Sequence, residues 1–322
     1  MKLKTHILAI VVFLVVLLIL GYFLIRPENK KIDQNPYALE LDKYYHVDSQ
    51  LYCNARISSF KIKPENPVGI CVDACGTIYV TSKQSLFKLD KNGTVISEIK
   101  LPGNAGSLSF GPNNKLYVSL SNRIAVLNTG GKIISEWQTV NPEGFISSIA
   151  VNENFVFAAN SYTKKIYWFD FKGNIVKITG QKNAETPAID FVVPSQYFDC
   201  AIGTDGHVWI VNPGRQLIVK LDSVGKEMVH WGKASTGPEG FCGCCNPSHI
   251  AIMDDGSFIT SEKGIPRVKK YDARGELQCV FNIKFPEGTA GLDICTQGNN
   301  IVYILEPNRQ LIHKIELNNN GL

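Results

Sequence analysis

The stretch "GFCGCCNPSHIA", Gly240 to Ala251, sets Cys242, Cys244 and Cys245 within four positions and places His249 four residues on. Thiolates and a neutral imidazole so close together are the donors that zinc or iron selects. The same spacing has other readings. Cys244 and Cys245 are adjacent, so they could form a strained disulfide or act as a redox pair. They could also be small apolar side chains in a crowded loop. Nine cysteines, an odd number, leave at least one outside any intramolecular pairing, and spacing does not fix the connectivity. No Gly-x-Ser-x-Gly elbow, phosphate-cradling loop or paired CxxC ribbon accompanies the cluster.

The surrounding sequence shows what must position this loop. One phrase recurs: "PVGICVDACGTIYV" from Pro67, "FDCAIGTDGHVWIV" from Phe198, "NPSHIAIMDDGSFIT" from Asn246 and "GLDICTQGNNIVYIL" from Gly291. Each reads as a short apolar strand, a polar turn and a second strand of β-branched and aromatic residues. A third strand and an Asx-x-x-Gly type turn follow, with glycines at 93, 131, 173, 225 and 275. A period of about 40 to 50 residues with four short strands marks a β-propeller. Six copies account for the chain after residue 47. The last has only three strands, so "NARISSFKI", Asn54 to Ile62, is expected to supply the fourth and close the ring.

The phrase from Pro67, continued by "LFKLDKNG", resembles the NHL repeat. The resemblance spans about residues 50 to 320 and implies an all-β, six-bladed propeller. It implies no single activity, since NHL-like propellers include protein-binding modules, sensor domains, and metal-dependent lyases and lactonases. Amidating lyases of this kind carry zinc on channel histidines, and here only His249 matches such a role. "CGCCNP" followed by "TSEKGIPRVKKY" looks like a subtype of bacterial NHL-like proteins.

In a propeller the first strand of each blade lines the channel. Overlaying the repeats gives a ring of equivalent positions: Gly69, Ser107, Ser148, Asp199, His249 and Asp293. His249 is therefore expected between two aspartates, beside Cys242, Cys244, Cys245 and Cys200, as a candidate zinc or iron site. Cys71 and Cys295 fall at equivalent inner-strand positions and read as core. In "TSEKGIPRVKKYD", Glu262, Lys263 and Arg267 form either a polar face for a partner or ligand, or a solvated hairpin.

Residues 7–25, "ILAIVVFLVVLLILGYFLI", carry no charge, close to the ~20 residues that span a bilayer. No Ala-x-Ala site follows, so the run reads as an uncleaved anchor after a short tail (1–6) and before a linker (26–47) and the propeller (48–322). Flanking lysines and arginines nearly balance, but a short N-terminus before a large folded domain places that domain outside the cytoplasm. A net charge of +4, dispersed along the chain, gives no basic patch for nucleic acid. The leading expectation is a membrane-tethered propeller that binds a protein partner or ligand at its channel face. The alternatives are a metal-dependent lyase or lactonase using His249, Asp199 and Asp293, and an electron-transfer accessory subunit.

Overall fold

Strands of about five residues, each ended by a turn with a required backbone geometry, pair mostly with their chain neighbours. The result, in a computed structural model that describes residues 13–18, 22, 45–138, 144–180 and 189–318, is six four-stranded antiparallel sheets among those residues. The chain divides into two compact units, Met1–Leu41 and Asp42–Leu322, and the sheets belong to the second. Their inner strands are Pro67–Val72, Ala105–Phe110, Ile146–Val151, Cys200–Ile202, His249–Ile252 and Asp293–Gln297. Each packs against the inner strands of the preceding and following blades, and the sixth packs against the first, so the ring is closed. The all-β six-bladed propeller expected from the repeats is the fold.

The repeated Asx-x-x-Gly turn joins the third and fourth strands, and two demands fix its residues. In blade one the Asp90 carboxylate accepts the backbone N–H groups of Asn92 and Thr94, both at 2.9 Å. Gly93 follows at φ +85°, a conformation that favours glycine. A Cβ there would also overlap the Phe60 ring of the adjacent blade. Gly275 meets the same two constraints against Trp231. The turn thus shapes its own hairpin and seats one blade on the next, which is why it recurs.

Closure occurs where the sequence places it. Ala55–Lys61 pairs antiparallel with Leu311–Leu317 in unbroken register from Ala55 opposite Leu317 to Lys61 opposite Leu311. A side-chain relay crosses this seam: Ser59 Oγ lies 2.7 Å from His313 Nδ1, and His313 Nε2 lies 2.8 Å from the buried Glu306 carboxylate. A disulfide between Cys53 and Cys279 ties the start of the closing strand to blade five.

The anchor expected over 7–25 and the linker over 26–47 fall largely outside the described residues. Of the anchor, residues 13–18 and 22 are described, and they are helical. Among the described residues no helix is long and apolar enough to cross a membrane.

Deleting residues 50–62 removes the seam and exposes a sheet edge, so cooperative thermal unfolding should be lost. Cys279→Ser opens a loop closed across 226 positions and should cost about 2–5 kcal/mol by denaturant titration. An unchanged melting curve for the deletion would contradict the closure.

Candidate functional site

Each inner strand has one edge paired within its blade and one edge facing the channel, where its backbone N–H groups need acceptors. The ring side chains supply them across the blade seams. Ser107 Oγ accepts the Ile149 N–H at 3.1 Å, and Ser148 Oγ accepts the Cys200 N–H at 3.2 Å. Asp199 Oδ2 accepts the Ile250 N–H at 2.7 Å, and Asp293 Oδ2 accepts the Ile70 N–H at 2.8 Å. The second oxygen of each aspartate turns to the chain that follows it: Cys200 N–H for Asp199, Ile294 N–H for Asp293. Four of the six ring positions therefore link one blade to the next.

His249 differs. Its Nδ1 lies 3.6 Å from Asp199 Oδ2 and 3.5 Å from Asp293 Oδ1, so it bridges the two carboxylates. Its Nε2 is buried and has no hydrogen-bond partner. Burial pushes the imidazole toward neutrality, but Asp199, with Asp293 adding to it, outweighs that and holds its pKa above the usual histidine value. Burial raises Asp293 to about 6, with nearby Asp199 adding to the rise and His249 opposing it. Tyr197 stands edge-on to the imidazole, ring centroids 5.5 Å apart. His249, Asp199, Asp293 and Tyr197 line a cavity of about 510 Å³ on the side from which the chain enters the inner strands. A smaller cavity of about 280 Å³ lies on the other side of the ring, lined by Cys71, Cys200 and Cys295.

The cysteine loop is held by charges that the sequence reading had put on the surface. Glu262 and Lys269 have fully buried side chains, and Arg267 is nearly so. Glu262 pairs with Lys269 at 2.6 Å and with Arg267 at 3.2 Å, and it accepts the Cys242 N–H at 3.1 Å. Lys269 donates to the Gly240 carbonyl at 2.6 Å, and Arg267 to that of Thr236 at 3.1 Å. Glu262 and Arg267 are therefore not a partner face: they clamp the segment from Thr236 to Cys242. The reason is desolvation. The preceding loop covers the hairpin, and buried charges must then find opposite charges and backbone dipoles. Lys263 alone of the three reaches outward, its ammonium 5.2 Å from the Tyr197 ring centroid.

The seven expected metal donors do not converge. Among the described residues no group of three or more His, Cys, Asp or Glu side chains is arranged to hold a metal. Asp199 and Asp293 are occupied by backbone N–H groups, and Cys200 is buried beside Ser148 with its thiol pushed up to about 12, chiefly by burial. Cys244 and Cys245 face each other, Sγ to Sγ 3.4 Å. Burial opposes ionisation of Cys245, but hydrogen bonds from Cys244 and Ser195, together with Lys263, lower its pKa. Cys244, exposed, is raised by its neighbour Cys245.

Sequence reasoning missed Tyr197 and Ser195. Both lie in the long lead-in "PSQYFDC" of blade four, whose extra length carries Tyr197 to His249, and Ser195 helps lower the Cys245 pKa. The Cys53–Cys279 pairing had no sequence signal.

No family model and no curated protein matches the chain. Solved structures do resemble it. Virginiamycin B lyase from Staphylococcus aureus has a TM-score of 0.60 at 15% identity, covering 82% of this chain and 100% of its own. A streptogramin B lyase gives 0.59 at 16%, covering 82% and 98%. Regucalcin from Agrobacterium tumefaciens, a calcium-binding protein, gives 0.57 at 13%, covering 79% and 91%. At these identities the likeness carries the propeller fold alone.

Glu262→Gln would leave two cations buried without their counter-charge and should cost about 3–5 kcal/mol in chemical denaturation. Adding Lys269→Met should recover part of that loss. If the single variant is as stable as wild type, the clamp is not structural.

Proposed function

We propose that the protein binds a small molecule at the channel mouth, with His249 Nε2 as the donor to a carbonyl or anionic oxygen of the ligand. The observation that carries this is the buried, unpartnered Nε2 beside an open cavity, on an imidazole whose pKa two carboxylates raise against burial. A buried donor without an acceptor costs free energy, and a ligand oxygen would remove that cost. A cavity of about 510 Å³ falls in the range that encloses drug-sized ligands. Phe145, Tyr197 and Val68 give its wall an apolar part, so the fitting molecule is amphiphilic, with its polar end at the ring.

A second reading is a lyase-type enzyme in which His249 transfers a proton. One observation favours it: a histidine between carboxylates, with its pKa raised by them, is suited to general acid–base work. Virginiamycin B lyase, of similar fold, has a catalytically inactive histidine-to-alanine variant. The membrane tether belongs to the proposal too. The apolar run at residues 7–25 supports it, and the Cys53–Cys279 disulfide suits an oxidising compartment outside the cytoplasm. A protein partner would meet the same face, where Cys244 and Lys263 are accessible.

A thermal-shift screen of small amphiphilic carbonyl compounds on the full-length protein tests the leading reading. Hits should stabilise wild type, and His249→Ala should weaken their binding about tenfold or more, as expected for a hydrogen bond from a charged donor. No hits, or equal binding to His249→Ala, would overturn it.

The pH profile of binding follows from the shifts. The histidine donor is charged below its raised pKa, so affinity falls as pH rises beyond the ordinary histidine range. Below about 6 Asp293 takes up a proton, but the imidazole is protonated there too and still faces Asp199, so the charged donor is kept. In Asp293→Asn the alkaline limb should move to lower pH, measured by calorimetry.

A further inference from the structure

We propose that Cys244 and Cys245 form a thiol–disulfide exchange site on the channel-mouth face, which reduces an unhindered, solvent-exposed disulfide of low-pKa thiols and becomes a vicinal disulfide. The assignment begins with placement. The two sulfurs lie 3.4 Å apart on a turn, Cys244 exposed and Cys245 half-buried. Lys263, on the hairpin that follows the loop, extends its ammonium to 5.2 Å from the Tyr197 ring, and although burial opposes ionisation of Cys245, Cys244, Ser195 and Lys263 together lower its pKa. A nearby ammonium favours the thiolate, which is the nucleophile, while the exposed neighbour Cys244 is placed to resolve a mixed disulfide.

The loop is also held unusually firmly for an exposed turn. Glu262, Lys269 and Arg267 fix its incoming arm, and the Asn246 side chain bonds to Cys242 and Lys263 backbone groups. Gln216 donates to the Gly243 carbonyl at 2.7 Å. The tip carrying both thiols is thereby presented rather than packed: a Cβ added at Gly243 would meet nothing.

The exchange balances without another reagent. The Cys245 thiolate attacks one sulfur of the partner disulfide, the partner S–S bond breaks, and one partner thiolate leaves. The Cys244 thiolate then attacks Cys245 Sγ, breaking the mixed disulfide and releasing the second partner thiolate. Two protein thiols are oxidised, one partner disulfide is reduced to two thiols, and the two protons pass to the leaving thiolates. Adjacent Cα atoms are about 3.8 Å apart, below the ~4.4 Å lower limit of ordinary disulfides, so the product ring is strained and the exchange runs forward only with a partner disulfide that is itself strongly oxidising, one whose thiols leave readily as thiolates. Such a bond is a poor staple, a role that Cys53–Cys279 already fills.

The test uses full-length protein in a Cys75→Ser background, which removes the other exposed free thiol. The probe is the aromatic disulfide of thionitrobenzoate, read by absorbance, with the products mapped by mass spectrometry. The parent should release two thionitrobenzoates per reacting pair and end as a Cys244–Cys245 disulfide. Cys244→Ser should stop at one, with the second retained on Cys245. Lys263→Met should slow the first release about fivefold, through loss of thiolate. Cys242→Ser should leave both releases unchanged. A parent that retains a stable mixed disulfide, or one in which Lys263→Met changes nothing, would overturn the proposal. So would Cys242→Ser abolishing the second release. Circular dichroism on each variant separates these outcomes from unfolding.

Discussion

A closed ring of blades leaves one edge of every inner strand facing a narrow channel, with backbone N–H groups that solvent reaches poorly. The fold depends on answering them. Serine or aspartate at the ring position of one blade accepts an N–H from the next, at four of the six seams. Aspartate does this twice over, since each carboxylate also takes the N–H that follows it in its own chain. That double duty explains why two carboxylates can stand deep in the channel, and why they make poor metal donors: their lone pairs are already engaged. His249 occupies the position between them and caps no seam. It is held by charge from both sides and keeps one nitrogen unused. The chemistry available to this propeller follows from that asymmetry.

Blade five departs from its neighbours in a second way. It buries a carboxylate, an ammonium and a guanidinium together, where blade six buries Glu306 with His313 and blades three and four bury the neutral Asn160 and Asn212. Such a cluster is a poor source of stability, because desolvating the charges offsets most of their attraction. What it supplies is position. It fixes one conformation of the loop that carries Cys242, Cys244 and Cys245, and burial drives the Lys269 pKa down to about 8 despite the carboxylate beside it. The aromatic rings of Phe241 and Tyr271 flank the same ammonium at 4.6 and 5.3 Å, so even its desolvation is partly compensated.

The repeats were legible because turn geometry is written in residue type. Asp90, Asp170, Asp222 and Asp272 with their paired glycines cannot be exchanged freely, and their spacing alone yields the blade count and the closing strand. The ring positions were legible too, as an alignment. What an alignment does not carry is the seam offset, which decides whether a ring side chain meets a ligand or the neighbouring backbone, and so Asp199 and Asp293 were read as metal donors. Glu262 and Arg267 looked like surface because charge usually is; their burial depends on the loop from Thr236 to Cys242 folding over them. Tyr197 was hidden in an irregular lead-in, where irregularity was itself the signal.

The account rests on His249 being held charged by its two neighbours, and a nuclear magnetic resonance titration of that imidazole in the full-length protein addresses this most directly. The account predicts a midpoint above 6.5, and a fall toward or below that value in Asp199→Asn, whose amide keeps the Ile250 N–H bond but loses the charge. A midpoint below 6.5 in the wild type, or one that Asp199→Asn leaves in place, would mean that burial governs the imidazole. The channel mouth would then lose its donor at neutral pH.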